Sequence, residues 1–420
     1  MALPGKGRIV WLLPLLVMAV GCGTKRPQTR PEAPAGGRLV AERSWACRDD
    51  GAPAGLETAL ARTEERLAAL PAEEELALGA ERLKRKTLLA GIRLLRENID
   101  RVGRPGFSEW LAEHFRLLRV DRPVLVTGYY EPLLHGARQP SERYRYPLYR
   151  RPDDLVVIEL KDFYFAGQAQ GLPRRTRGRL TADRRVVPYP DRDAIDHAGA
   201  LAGRNLELLW VDDPIDLFFL QIQGSGVVEL ETGETVRVGY AESNGHPYRA
   251  IGRLLLDRGW LTREGASMQG IRRCLQARPE ALREVLSRNP SYVFFRETGA
   301  AGAIGSLGVE LIPERGIAVD PRWYPLGGLA WLETRRPEVD RAGEIAGWQT
   351  AGRLVVCQDT GGAIVGPLHV DLFTGSGALA ELWAGHLKDA GTLILLVPRE
   401  PEPAPPVSLP GAGDETASGS

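Results

Sequence analysis

The sequence predicts a mainly β protein with some α-helix and a helical start, and three observations carry that prediction. Apolar residues recur at helical spacing from Leu56 to Arg119. From Val124 onward the pattern changes to short apolar runs separated by turn formers. The stretch Leu354–Gly377, LVVCQDTGGAIVGPLHVDLFTGSG, has strand-like runs on both sides of a glycine-rich turn, as a β-hairpin or a strand–loop–strand would. With 420 residues, 43% hydrophobic and 26% charged, the chain has material for one large or two ordinary domains. Its 54 basic and 54 acidic residues cancel, so no whole-chain field argues for nucleic acid, and a partner has to be argued from local sites.

At the amino terminus Lys6 and Arg8 precede an apolar run, Ile9–Val20, which is interrupted by Pro14 and too short to span a bilayer as a mature helix. It ends Ala19-Val20-Gly21-Cys22 and resembles a bacterial lipoprotein signal: residues 1–21 are removed and Cys22 carries the lipid. A plain secretory signal cleaved nearby is the alternative, and either way the mature chain is exported. Gly23 after the cysteine resembles lipoproteins sorted to the outer membrane, which places the protein on its periplasmic face through a lipid anchor. Residues 22–43, rich in Pro, Gly and Arg, suit a flexible tether, and residues 399–420 a disordered tail. Of the remaining cysteines, Cys357 in an apolar strand reads as buried; a Cys47–Cys274 bond is compatible with an oxidising compartment but does not follow from sequence. No two cysteines have metal-ligand spacing, so no metal is expected.

Taken in order, Leu60, Leu67 and Leu70, then Leu83, Leu88, Ile92 and Leu95, then Trp110, Leu111, Phe115 and Leu118 predict three packing helices punctuated by Pro71 and Pro105. The strand grammar opens with Val124–Pro132, VLVTGYYEP. Tyr129 and Tyr130 there serve either cross-strand packing or sugar binding, with ring faces stacked on the sugar and hydroxyls at its edge. Basic, proline-rich loops follow from Tyr144 to Pro190. Phe218–Ile222 reads as a buried strand, and Gln223-Gly224-Ser225-Gly226 as a tight turn whose backbone can approach a ligand closely. Tyr248–Arg258 and Ser267–Leu286 read as helices with Asn or Ser near their starts.

The central stretch places Asp359 at the end of its first strand and Asp371 inside its second, on the face opposite Val370 and Leu372. A carboxylate within a strand is expensive if its face is dry, and a solvated face is the simplest reading of any one of them. Asp359-Thr360-Gly361 is also the tripeptide of aspartic proteases; without a second copy in the chain, that reading needs a homodimer. A further reading adds Asp320, in Gly316-Ile317-Ala318-Val319-Asp320, followed by Pro325-Leu326-Gly327. Together the three segments resemble the three-aspartate domain of the MltA family, the membrane-bound lytic murein transglycosylases of type A. Thr127-Gly128-Tyr129-Tyr130-Glu131-Pro132, Ile222–Gly226, Tyr240, Asn244-Gly245, Pro247-Tyr248, Ile251-Gly252-Arg253, Ser267-Met268-Gln269 and Asn289–Phe295 follow that family's order, so the resemblance runs from about Thr127 to Val397.

The resemblance implies a double-psi β-barrel built from Ser44–Tyr130 and Gly302–Pro398, an inserted smaller β-barrel domain, Glu131–Ala301, and a groove between them for a glycan strand. It implies cleavage of the β-1,4 bond between N-acetylmuramic acid and N-acetylglucosamine in peptidoglycan, with 1,6-anhydromuramic ends and no cofactor. Carried over residue by residue, Asp371 is the catalytic acid, Asp359 its partner and Asp320 the first of the three. Thr127, Gly128, Tyr129, Tyr130, Gln223, Gly224, Ser225, Gly226 and Asp320 are the expected substrate contacts. The chemistry is coherent without the family. A glycosidase that uses water ordinarily needs two carboxyls, roughly 5–5.5 or 6.5–9.5 Å apart. A transglycosylase has its nucleophile in the sugar's own C6 hydroxyl, so one carboxyl, kept protonated by burial and a like-charged neighbour, serves as acid and then base. A non-catalytic cell-wall glycan-binding barrel, a water-using muramidase and the dimeric aspartic protease are the alternatives.

Overall fold

The computed structural model describes residues 37–42, 45–160, 163, 175–263, 265–299 and 301–399. The expected signal segment, the expected lipid-bearing Cys22, most of the expected tether and the expected tail beyond Arg399 lie outside them. Among the described residues no helix is long and apolar enough to cross a membrane.

The described residues begin with β1 (Leu39–Glu42), α1 (Pro53–Ala68), a hairpin of β2 (Glu75–Leu78) and β3 (Glu81–Lys84), α2 (Arg85–Glu97), α3 (Phe107–His114), β4 (Phe115–Val120) and β5 (Val124–Glu131). The three helices are present, but two expectations are corrected. Leu83 lies in the β2–β3 hairpin, and Phe115 and Leu118 belong to β4 rather than to the third helix. β4 lies between β1 and the carboxy-terminal strand, and those ladder hydrogen bonds override a local helical pattern.

After β5 the chain builds a second set of sheets: β6 (Leu133–Ala137), β7 (Tyr146–Tyr149), β8 (Leu155–Glu159), β9 (Arg175–Leu180), β10 (Val186–Val187), α4 (Arg192–Asp196), β11 (Glu207–Val211), α5 (Pro214–Gln223), β12 (Ser225–Leu230), β13 (Thr235–Ser243), α6 (Ile251–Asp257), α7 (Met268–Gln276), α8 (Leu282–Leu286) and β14 (Val293–Glu297). Six strands run β14-β13-β12-β6-β11-β7, and a bridge between Arg150 and Phe295 links the two edges. The expected strand Phe218–Ile222 is part of helix α5. Pro214 occupies its first turn, and the Asp213 carboxylate accepts from the N–H groups of Ile215 and Asp216. An apolar run buried all round looks alike as strand or helix, and the cap decides. The expected Ser267–Leu286 helix is two: α7, capped by Ser267, and α8, separated by a turn at Pro279.

The chain then returns through β15 (Gly316–Ala318), β16 (Leu329–Val339), β17 (Ile345–Asp359), β18 (His369–Ser376), α9 (Ala378–His386) and β19 (Lys388–Pro398). The order β19-β16-β17-β15-β18-β5, with β5 pairing back onto β19, closes a six-stranded barrel in which β15–β17 and β18–β5 are parallel. Strand alternation fills it: Val126, Ile317, Val355, Cys357, Val370, Leu372 and Leu393 point inward. Leu354 and Val356, of opposite parity, pack under α1 and α2 with Leu60, Ile92 and Leu95. β17 and β18 do not form a hairpin, because β15 lies between them. Cys47, Cys274 and Cys357 are buried and unbonded; Cys47 belongs to the helix–barrel core and Cys274 to the α5–α8 cluster.

Candidate active site

The site follows from register. Ala318 of β15 pairs with Asp371 of β18 on one side and Asp359 of β17 on the other, while Asp371 also pairs with Thr127 of β5. Thr127, Asp371, Ala318 and Asp359 therefore form one row across four strands. With Val370, Leu372, Ile317 and Val319 in the barrel interior, the row lies on its outer face. Asp359 by simple alternation would share the inward parity of Cys357. An irregularity in the β15–β17 register inserts one residue, so Ala318 faces Asp359 rather than Gln358. Bulges re-aim side chains in this way.

The two carboxyls are held differently. Asp359 accepts hydrogen bonds from Ser306 N and Ser306 Oγ, 2.8 Å each, Thr360 N at 2.8 Å and the Tyr129 hydroxyl at 2.9 Å. Asp371 has one such donor, Thr127 Oγ1 at 2.7 Å, and that hydroxyl lies 3.0 Å from His369 Nε2. Burial pushes Asp371 up to about 7; the Thr127 hydroxyl opposes the shift, and repulsion from Asp359 adds to it. Burial also raises Asp359, against its four donors. Since donors stabilise the ionised form, Asp359 takes the charge of the pair and Asp371 keeps the proton. Burial lowers the His369 pKa, so its ring is neutral at pH 7.

The other expected residues divide. Tyr129 is buried against Phe373, with ring centroids 5.3 Å apart, and its hydroxyl fixes Asp359; Tyr130 is buried with Ala380 and Ala384. The ring faces expected to stack on sugars are taken up by packing. Gly128 admits α9, since a Cβ there would lie 2.8 Å from Ala384 Cα. Gln223 accepts from Tyr130 N at 3.0 Å, and Gly224, with φ +84°, ends α5 in the left-handed conformation. Ser225 and Gly226 begin β12 beside Pro132, where a Cβ on Gly226 would collide with the Leu220 side chain. Asp320 is buried and faces Arg322 and Gly366 N, which it accepts from at 2.7 Å. Burial would raise its pKa, but the guanidinium and these N–H groups hold it below the usual carboxylate range. It fastens the loop between Asp359 and Asp371. Ser306 and His369 went unassigned in the sequence. Alternation places His369 on the face of Asp371 and could have found it; nothing local signals Ser306. Among the described residues no cluster of His, Cys, Asp and Glu could hold a metal ion.

A carboxyl raised to about 7, beside one fixed by four donors, is an arrangement suited to acid–base chemistry, here on the outer face of a closed β-barrel. Residues 125–296 match the MltA specific insert domain and residues 315–397 the 3D domain. The membrane-bound lytic murein transglycosylase A of Vibrio cholerae is 34% identical over 270 residues, 64% of each chain. Its namesake from Escherichia coli K12 is 33% identical over 293 residues, 69% of this chain and 67% of the relative. The crystal structure of the membrane-bound lytic murein transglycosylase from Agrobacterium tumefaciens superposes with a TM-score of 0.69 at 33% identity, covering 83% of this chain and 93% of that one. Escherichia coli MltA with bound chitohexaose gives 0.63 at 25% identity, covering 87% and 95%. The chain belongs to the MltA family of lytic murein transglycosylases.

Proposed function

We propose that this protein is a peptidoglycan lytic transglycosylase in which Asp371 is the single acid and base. The observation that carries the reading is the unequal hydrogen bonding of the Asp359–Asp371 pair within one strand row. Asp371 protonates the oxygen between muramic C1 and glucosamine C4, the C1–O bond breaks, and the glucosamine leaves with its hydroxyl. The Asp371 carboxylate then takes the proton of the muramic C6 hydroxyl, O6 bonds to C1, and a 1,6-anhydro end forms without water. Ionised Asp371 accepts a hydrogen bond from the Thr127 hydroxyl. When Asp371 is protonated it donates to Thr127 Oγ1, and Thr127 can turn its own proton to His369 Nε2. Thr127 thus follows the acid through both states. Purified sacculi should yield anhydromuropeptides by mass analysis; reducing ends in their place would sink the proposal.

Asp359 sets the proton on Asp371. In Asp359→Asn the amide oxygen can keep Ser306 and Thr360 as donors, while its NH2 turns to the Tyr129 oxygen. With the like charge gone, the Asp371 pKa falls, so the limb of the kcat/KM profile that is lost as pH rises moves to lower pH and activity at neutral pH drops. A limb left in place, measured over pH 4 to 9, would show that Asp359 does not tune the acid.

The relatives are named membrane-bound, and we propose the same association here, through lipid on Cys22 at the periplasmic face of the outer membrane. Cys22→Ala should release the protein from the membrane fraction or leave the precursor unprocessed. Retention of a processed chain after a high-salt wash would place the anchor elsewhere.

A further inference from the structure

Strand β19 has three partners: Lys388–Gly391 pair with β5, Ile394–Pro398 with β4, and Thr392–Leu396 with β16. The β16–β17 hairpin continues past the last β16–β19 pair, Glu333–Thr392, leaving an open cleft of about 440 Å³ between the hairpin, α9 and the start of β19. Arg335, Glu344, Trp348, His386, Lys388 and Asp389 line it. Lys388 is the register partner of Thr127, which is the partner of Asp371, so Lys388 extends the row by one strand and lies two strands from Asp371. Two strand spacings amount to ~10 Å.

The polar groups of this cleft are incompletely matched. Arg335 ion-pairs with Asp389 Oδ1 and lies over the Trp348 ring, 5.2 Å from its centroid. Asp389 Oδ2 is buried without a hydrogen-bond partner, an acceptor that calls for a donor. Lys388 is exposed and has no carboxylate partner among the described residues. His386 Nδ1 is engaged by Leu382 O at 2.9 Å, which leaves Nε2 available. Glu344 adds a second, exposed carboxylate. A ligand that satisfies this set carries a carboxylate for Lys388, an ammonium or amide N–H for Asp389 and Glu344, and an aliphatic segment for the Trp348 ring.

We infer that the cleft is a subsite for the peptide stem borne by the muramic sugar, recognising a diamino acid with both an ammonium and a carboxylate; this rests on the transglycosylase reading above. The reach agrees. An extended chain covers ~3.3–3.6 Å per residue, so a stem leaving the sugar at Asp371 brings about its third residue to Lys388.

The test compares glycan strands bearing diaminopimelate-containing stems with strands stripped by an amidase, and adds binding of the free alanyl-glutamyl-diaminopimelate tripeptide. In Lys388→Glu the ratio of kcat/KM on peptide-bearing to stripped strands should fall about tenfold, mainly through KM, as expected for reversing one recognising charge. Tripeptide binding should weaken in parallel. A ratio equal to that of the unaltered protein, with equal tripeptide binding, overturns the subsite and leaves the transglycosylase reading standing. Tripeptide binding that depends on Lys388, in a protein that cleaves neither substrate, supports the subsite and overturns that reading instead.

Discussion

Asp371→Asn is expected to lower kcat by at least ~10²–10⁴-fold on peptidoglycan, the range a positioned acid–base group contributes. The amide preserves shape and can still meet the Thr127 hydroxyl, but it cannot deliver a proton to the leaving oxygen. Binding to sacculi should persist, because the surrounding fold does not depend on the charge. The stability change separates chemistry from folding. Burial holds the folded pKa of Asp371 at about 7, above its ordinary carboxylate value. Its contribution is therefore fully present below the unfolded pKa of about 3.9 and lost as pH rises through about 7. The Asn variant, which never ionises, should match or exceed the unaltered protein in thermal stability at pH 8. An inactive variant that melts well below the unaltered protein would make Asp371 structural, and an active one would move the acid elsewhere.

Asp49→Ala should destabilise the fold by ~3–5 kcal/mol, the cost of leaving a buried charge without its partner. Asp49 and Arg315 are both buried and meet through two hydrogen bonds, 2.6 and 2.9 Å, while Asp49 also accepts from Leu354 N at 2.8 Å. The segment before α1 is thereby pinned to the barrel between β15 and β17, the strands that carry the site. Denaturant unfolding followed by circular dichroism measures the loss. Asp49→Leu with Arg315→Met, which removes both charges, should recover part of it. A loss under ~1 kcal/mol for Asp49→Ala would put the pair in the class of exposed ion pairs, against its burial.

The carboxylates of the candidate site were legible in the chain. Alternation by itself set Asp371 opposite Val370 and Leu372, because a strand has period two, and the glycine-rich turn placed Asp359 at the end of the preceding strand. Local grammar also located the helical start, the change to strands at Val124 and the ordered motifs that marked the family. What it missed depends on pairing at a distance. β4 is a strand because β1 and β19 offer it partners, and α5 is a helix because Asp213 and Pro214 start one, although its apolar run suits either state. The strand placed between β17 and β18 comes from a separate segment, and only its register brings Asp359, Asp371 and Thr127 into one row. A one-residue irregularity then turns Asp359 outward, and Ser306, 53 residues away in the chain, supplies two of its four donors. Residue types thus announced that carboxylates were available. Which of them holds the proton was decided by tertiary structure, because a carboxyl's pKa depends on the donors and burial around it, and those come from segments that are neighbours only in the fold.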